Sequence, residues 1–373
     1  MSLQPACSAI ETAAMRRALE LARRGEGRVE PNPMVGAVIL GDDGAVVAEG
    51  WHDRFGGPHA EAVALAAAGT RARGATLVVT LEPCCHHGKT PPCTDAIVAA
   101  GVSRVVVAAG DPFPAVSGRG IAALRSAGVD VATGLLEAEA LRLTAPYRKL
   151  VTTGTPWVIA KWAVTRDGRL ALPPGGDRWI SSPESRAIVH ALRARVDAIA
   201  VGSGTVFADD PLLTARPAGP RPLLRIVLDG RGRLPHTSRL VTTARESPVL
   251  LAVGPAAPTD RIRSLEAAGC EVWRSPAADR AERLRDLLGE LGSRRITNLL
   301  VEGGAAVFRT LFDAGLVDEV WAFASPRTAG GQPDPERTLP EPPALDVVEV
   351  SHPGGDTLTR GIVRRPTVSA GRE

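Results

Sequence analysis

LEPCCHHGKTPPC, from Leu81 to Cys93, holds three of the chain's five cysteines and two of its seven histidines within thirteen residues. The apolar, β-branched run ATLVVT precedes it and TDAIVAAG, with helical spacing, follows, so the stretch reads as a loop between a strand and a helix. Glu82-Pro83-Cys84 then puts Cys84 at the rim of a sheet, where α/β folds commonly bind ligands. Pro91 and Pro92 open the helix, because proline is tolerated in a first turn whose N–H groups lack partners anyway. Cys93 in that turn feels the positive end of the helix, which favours the thiolate that a metal needs.

A short way upstream, PHAE (Pro58 to Glu61) supplies the rest of a reaction centre. His59 offers a nitrogen ligand at the start of another helix. One imidazole and two thiolates leave a tetrahedral zinc its fourth position for water, which marks a catalytic rather than a structural site. Glu61 can sit beside the metal without binding it, placed to take a proton from the water and return it to a leaving amine. Two plainer readings compete. Cys84 and Cys93 could be packing residues, or Cys84, Cys85, Cys93, His86 and His87 could close a structural zinc; neither explains the upstream histidine and glutamate. Cys85, His86 and His87 read as loop residues or supports for the ligands.

At 373 residues the chain exceeds the usual size of one core, which implies two domains. Aromatics are 3% of the residues, so the core is built from Ala, Val and Leu and a large base-stacking surface is excluded. The formal charge of +3 is small and arginine is scattered among acids, leaving no footprint for bulk nucleic acid. No apolar run approaches the roughly 18 residues that span a bilayer, and SAIETAAMRRALELARRGEG reads as an amphipathic helix at a mature N-terminus. Five cysteines, three of them local, do not resemble a secreted disulfide framework and point to a reducing, cytoplasmic setting.

Strand-like and helix-like segments alternate over about the first 145 residues: the opening helix, MVGAVIL, AEAVALAAAG, ATLVVTLEP, TDAIVAAG, SRVVVAAGDP, IAALRSAG and VDVATG. Such alternation implies a layered α/β sheet. PYRKLVTTGTP, Pro146 to Pro156, reads as a linker, giving domains at 1–146 and 154–373. The pattern restarts with WVIAKWAV, DAIAVGSG, LLRIVLDG, SPVLLAVG, NLLVEGG and VDEVWAFASP, with SPESRAIVHALRAR and AERLRDLLGELG as helices between them. The Pro-rich run Gly330 to Pro343 reads as a surface loop. GRGIAA at Gly118 fits a dinucleotide fingerprint only weakly, because it follows a loop rather than a strand.

Zinc deaminases carry His-x-Glu followed by Pro-Cys-x-x-Cys; here eight residues separate the two cysteines. With that spacing, PNPMVGAVIL, HAE and EPCCHHGKTPPC resemble the deaminase domain of the bifunctional riboflavin-biosynthesis deaminase/reductases, and GDPFPAVSGRGI resembles the segment that follows. KWAVTRDGRLA, RWISSPESR, LRARVDAIAVGSGTVFADDPLLTAR and LLVEGGAAVF resemble that family's reductase domain, so the likeness runs to about Ala329. It implies a cytidine-deaminase-like three-layer α/β/α domain followed by a dihydrofolate-reductase-like α/β domain. The implied reactions are hydrolytic removal of the ring amine from 2,5-diamino-6-ribosylamino-4(3H)-pyrimidinone 5′-phosphate, then reduction of its ribosyl group to ribityl with NADPH.

Carried over by position, the resemblance makes His59, Cys84 and Cys93 the Zn2+ ligands and Glu61 the proton shuttle, with Asn32 against the substrate; by their own residues Asn32 also reads as a turn between prolines, and His52 as either a rim contact or a surface residue. In the second half Ala163, Trp179, Thr205, Asp209 and Gly304 fall at the NADPH. Lys161, Asp177, Arg193, Leu213, Arg216 and Glu302 fall at the sugar phosphate or reacting ribose, Lys161 managing the proton beside the hydride transfer. GSGT after a strand and EGG before a helix also suit phosphate by themselves, since both allow close backbone approach. A homo-oligomer, dimer or tetramer, is implied, with a small-molecule pyrimidine ribosyl phosphate as substrate and neither nucleic acid nor membrane as partner.

Several departures from the family pattern stand out. Arg166 stands in TRDG where an apolar residue is expected, and Asp177 precedes Arg178-Trp179 where serine is usual. Phe113 replaces asparagine in GDPNP, and Ala145-Pro146 interrupts an LN pattern. They leave open a related zinc deaminase for another pyrimidine, a nucleoside or tRNA, with a decayed or repurposed reductase. A zinc-stabilised binding protein is the third alternative, which Glu61 disfavours.

Overall fold

The structure is a computed structural model that describes residues 7–86, 91–172, 179–330, 332, 334–335 and 337–365. The chain divides into two compact units, Met1–Gly154 and Thr155–Glu373.

The first unit runs α1 (Ala9–Ala22), β1 (Gly36–Leu40), β2 (Val46–Trp51), α2 (Ala60–Ala68), β3 (Thr76–Leu81), α3 (Cys93–Ala99), β4 (Arg104–Ala109), α4 (Arg119–Ser126), β5 (Asp130–Thr133), α5 (Glu137–Leu143) and α6 (Ala145–Thr153). Its five strands form one sheet in the order β2-β1-β3-β4-β5. β3, β4 and β5 are parallel, while β1 is antiparallel to both neighbours.

Why the strands read as unbroken apolar runs follows from the layers. Val105 and Val107 of β4 face a core shared with Ala64 of α2, Ile97 of α3 and Leu124 of α4. Val106 and Ala108 face the opposite core, shared with Met15 and Ala18 of α1 and Ala140 of α5. Both faces are covered, so alternation with polar residues is suppressed. The result is a three-layer α/β/α unit. Ser8 and Glu11 start α1 with a reciprocal capping box.

The stretch expected to be a linker is helical through Thr153. Pro146 sits in the first turn of α6, where its missing N–H costs nothing. Tyr147 packs against the core and donates to Asp111 Oδ1 at 2.9 Å. Gly154, with φ 70°, takes the left-handed position that ends the helix.

The second unit contains β6 (Trp157–Val164), α7 (Pro183–Arg193), β7 (Ala198–Gly202), α8 (Ser203–Asp209), β8 (Leu224–Leu228), α9 (Arg239–Thr242), β9 (Val249–Val253), α10 (Thr259–Ala267), β10 (Glu271–Arg274), α11 (Arg280–Ser293), β11 (Asn298–Val301), α12 (Ala305–Asp313), β12 (Glu319–Ala324), β13 (Leu345–Ser351) and β14 (Thr357–Val363). The described strands form a nine-stranded sheet, β10-β9-β8-β7-β11-β6-β12-β14-β13. From β10 to β12 neighbours are parallel; β14 and β13 close the edge antiparallel. Ile199 and Val201 of β7 face one core with α7 and α10, and Ala198 and Ala200 face the other with α11 and α12.

β11 enters between β6 and β7 after the chain has built β8 to β10 on one side. The carboxyl ends of β7 and β11 thus lie together at a change in strand order, where open α/β sheets bind ligands. No described helix is long and apolar enough to cross a membrane.

Candidate active sites

In the first unit His59 is the N-cap of α2, and its side chain makes no capping hydrogen bond, so the imidazole is free to turn to the thiols. Cys93 is the first residue of α3, and its backbone N–H donates to Cys84 Sγ at 3.4 Å. His59 Nδ1 lies 3.3 Å from Cys93 Sγ and 3.5 Å from Cys84 Sγ. The three donor atoms all fall within 4.8 Å of one another. One nitrogen and two sulfurs at these separations fit a zinc ion bound on one side and leave a position for another ligand.

The electrostatics agree with that use. Hydrogen bonds from Cys93 and His59 lower the Cys84 pKa, against the opposing effect of burial. Sharing a proton with Cys84, together with burial, pushes Cys93 upward. Glu61, in the first turn of α2, is 4% exposed, and burial raises its carboxyl above the ordinary value. It is hydrogen-bonded to Cys93, which places it beside the three donors rather than among them.

Asn32 and His52 sit at the same site. His52 is 2% exposed, its Nδ1 lies 2.9 Å from the Pro58 carbonyl and its Nε2 3.2 Å from Asn32 Nδ2. A carbonyl only accepts, so Nδ1 carries the proton and Nε2 accepts from the Asn32 amide. Burial lowers the His52 pKa and keeps the ring neutral. Asn32 Oδ1 is thereby left as an acceptor.

Glu82 was missed in the sequence. It is 4% exposed and accepts backbone hydrogen bonds from Asp111 (3.2 Å), Gly118 (3.1 Å) and Ile121 (3.1 Å), tying the loop after β4 to the residue before Pro83-Cys84. The available signal was a carboxylate ending a fully buried strand. Gly120, part of the discarded GRGIAA, has a packing role, because a Cβ there would collide with the Pro83 carbonyl oxygen. Gly120→Ala should cost about 1–3 kcal/mol through overpacking; thermal unfolding together with zinc content per chain checks this. Cys85 Sγ lies 3.7 Å from the Ala115 carbonyl, and His86 Nδ1 is buried without a hydrogen-bond partner, so neither joins the three donors. His87 lies outside the described residues.

In the second unit Lys161 of β6, Arg193 at the end of α7 and Glu302 after β11 converge. Arg193 grips Glu302 with two bonds, Nε to Oε1 at 2.7 Å and Nη2 to Oε2 at 2.9 Å, and Lys161 Nζ is 3.7 Å from Oε2. Burial acts to raise the Glu302 pKa, but Arg193 and Lys161 overcome it and hold the carboxyl at about 2. Burial lowers the Lys161 pKa, opposed by Glu302 and assisted by Arg193. A lysine so tuned suits proton transfer better than a solvated one.

Ala163 lies two residues along β6 from Lys161, on the same face of the strand. Gly304 is the N-cap of α12 with no side chain across the helix start, and a Cβ there would touch Thr205 Oγ1 of α8 at 3.8 Å. Open N–H groups beside a hydroxyl form a setting for phosphate. Leu213 is buried with φ 55°, and the next carbonyl, Thr214, accepts from Arg193 at 3.3 Å. Asp209 closes α8, and Arg216 is exposed, three residues beyond Leu213. Trp179 is half exposed under the Arg186 guanidinium, and its carbonyl accepts from Arg327 at 2.8 Å. Asp177 lies outside the described residues.

The departures at Arg166 and Phe113 disturb no core, since both residues are exposed. The neighbour of Arg166, Asp167, accepts from the Ala329 and Gly330 amides, each at 3.0 Å.

Comparison with known proteins covers both halves. The family model for the cytidine and deoxycytidylate deaminase zinc-binding region matches residues 9–109, and that for the RibD C-terminal domain matches residues 156–359. The riboflavin biosynthesis protein RibD of Actinobacillus pleuropneumoniae is 40% identical over 318 residues, 85% of this chain and 84% of its own length. Among solved structures, RibD of Acinetobacter baumannii has 34% identity and a TM-score of 0.82, over 95% of this chain and 99% of that one. A diaminohydroxyphosphoribosylaminopyrimidine deaminase/5-amino-6-(5-phosphoribosylamino)uracil reductase from Thermotoga maritima has 37% identity and a TM-score of 0.82, with the same coverage.

Proposed function

The chain belongs to the RibD family and is a bifunctional deaminase and reductase of riboflavin biosynthesis, and from that premise we propose which residues carry each reaction and on what substrate. The substrate is the diaminopyrimidine ribosylamine phosphate acted on by the Thermotoga maritima relative. The observation that carries the reading is the close grouping of His59 Nδ1 and the two cysteine sulfurs with buried Glu61 beside them.

His59, Cys84 and Cys93 hold the zinc, which when bound supplies Lewis acidity that brings a water's pKa near neutrality. Glu61 then moves the protons: its raised pKa suits it to accept one on a carboxylate oxygen and deliver it to the departing amine nitrogen. Neutral His52 fixes the Asn32 amide so that its Oδ1 receives a donor from the substrate.

Reducing a ribosylamine to a ribitylamine requires a hydride on the anomeric carbon and a proton on the released ring oxygen. Thr205, Gly304, Ala163, Asp209 and Trp179 would hold NADPH, which when bound would supply the hydride. Lys161 supplies the proton, and Glu302, kept anionic by Arg193, orients the lysine and preserves its charge. Arg193 and Arg216 face the sugar phosphate. Five free thiols support a reducing cytoplasmic setting, and a homo-oligomer is the assembly proposed by analogy with the family.

The test is an ordered assay on the purified full chain. Given the diaminopyrimidine ribosyl phosphate, it should release ammonia without nicotinamide and oxidise NADPH only afterwards. Removing metal with a chelator should stop ammonia release, and zinc should restore it; deamination that survives chelation refutes the metal assignment.

A further inference from the structure

β8 carries an arginine where its neighbours are core. Arg225 is 1% exposed, beside the buried Ile226 and Val227. Among the described residues it has no carboxylate in hydrogen-bonding reach. Nη1 donates to the Leu212 carbonyl at 3.2 Å and Thr243 Oγ1 at 2.9 Å, Nη2 donates to the carbonyls of Thr243 (3.1 Å) and Ser247, and Nε has no partner. A guanidinium stays charged even when burial lowers its pKa. A buried cation whose hydrogen bonds all go to neutral acceptors, with Glu246 acting on it only through space, is a costly way to fill space; an apolar side chain of similar volume would pack there without that cost. What the charge accomplishes is to draw together carbonyls from two separate segments, Leu212 on one side and Thr243 and Ser247 on the other.

One of those segments is strained. Between α8 and β8, two residues other than glycine occupy the left-handed region, Asp210 at φ 40° and Leu213 at φ 55°. Such strain persists only where the surroundings over-determine it, and it concentrates at functional sites. Here the restraints are specific. Asp210 Oδ1 accepts from the Arg239 amide at 2.8 Å, the Leu213 side chain is buried, Arg225 holds the Leu212 carbonyl, and Arg193 holds the Thr214 carbonyl at 3.3 Å. Leu213 is therefore pinned between two arginines, one of which also grips Glu302 beside Lys161.

We propose that Arg225 is a positioning residue of the reductase half, fixing the Leu212 carbonyl so that Leu213 to Arg216 are presented to the phosphorylated pyrimidine substrate. This rests on the reductase reading above. Arg225 touches neither substrate nor cofactor; it acts through the strained segment.

The experiment compares the full chain with Arg225→Met and Arg225→Lys. In Arg225→Met the KM for the deaminated pyrimidine should rise about tenfold or more while kcat changes much less, as expected when ground-state and transition-state binding are lost together. NADPH affinity measured by fluorescence and ammonia release should be unchanged. Arg225→Lys keeps the charge, reaches fewer carbonyls and should recover part of the loss. Hydrogen exchange in 210–216 should accelerate in both variants while β7 and β11 stay protected. If Arg225→Met does not fold, Arg225→Lys decides the matter with the same two readouts. A folded variant with unchanged KM and unchanged exchange overturns the proposal, as does loss of substrate and NADPH binding together. A wild-type chain that fails to oxidise NADPH would count against the reductase reading instead, and the exchange measurement, which needs no turnover, would still judge Arg225.

Discussion

Glu61→Gln should keep one zinc per chain and lose ammonia release by a factor of about 10² to 10⁴. The metal survives because the three donors come from other residues: His59 caps α2, Cys84 follows β3 and Cys93 begins α3. Glutamine preserves the shape of the side chain but cannot accept and return a proton, so turnover falls without a matching loss of binding. Zinc content by elemental analysis and ammonia release on the same preparation check the two halves of the claim. Ammonia release near the wild-type rate would remove Glu61 from the proton path. NADPH oxidation on separately supplied deaminated substrate should be unaffected, which guards against a general loss of fold.

Lys161→Ala should spare ammonia release and lower NADPH oxidation by a similar factor of about 10² to 10⁴, the usual range for removing a positioned acid. The variant also strips Glu302 of one cationic neighbour, but Arg193 still holds that carboxylate with two bonds, so the site should not collapse. The pH profile gives an independent check with a definite sign. As the proposed proton donor Lys161 would work in its protonated form, and burial lowers its pKa below the ordinary 10.5. The reductase rate should therefore fall as pH rises, and do so at lower pH than for an unperturbed lysine. Glu302, held at about 2, is already ionised and adds no step in the working range. Loss of both activities in Lys161→Ala would mean that the two sites are not independent.

The deaminase centre was legible because its chemistry is local. His59 and Glu61 are two residues apart, Cys84 and Cys93 close one loop, and each lies next to a helix or strand end that the hydrophobic pattern marks. For the proposed reductase centre the residues alone offered GSGT and EGG as a phosphate setting, and the individual side chains came through family likeness. Lys161, Arg193 and Glu302 come from three elements far apart in sequence, and no spacing announces that one carboxylate will be gripped by the other two side chains. Glu82 and Arg225 were invisible for a related reason: an isolated charge in an apolar strand gives no hint of which backbone groups will surround it. β2 and the β13–β14 hairpin were also unread, since each carries polar residues on an edge or half-exposed strand that blur the apolar pattern. At Pro146 the local preference was misjudged, because a proline that begins a helix has the same one-letter code as one that breaks it.

Among the described residues, the four apolar clusters fall two to each unit, and none draws residues from both sides of Gly154. Each half therefore owns its own hydrophobic interior. Severing the backbone after that glycine should yield two polypeptides that each retain the apolar clusters on which folding depends.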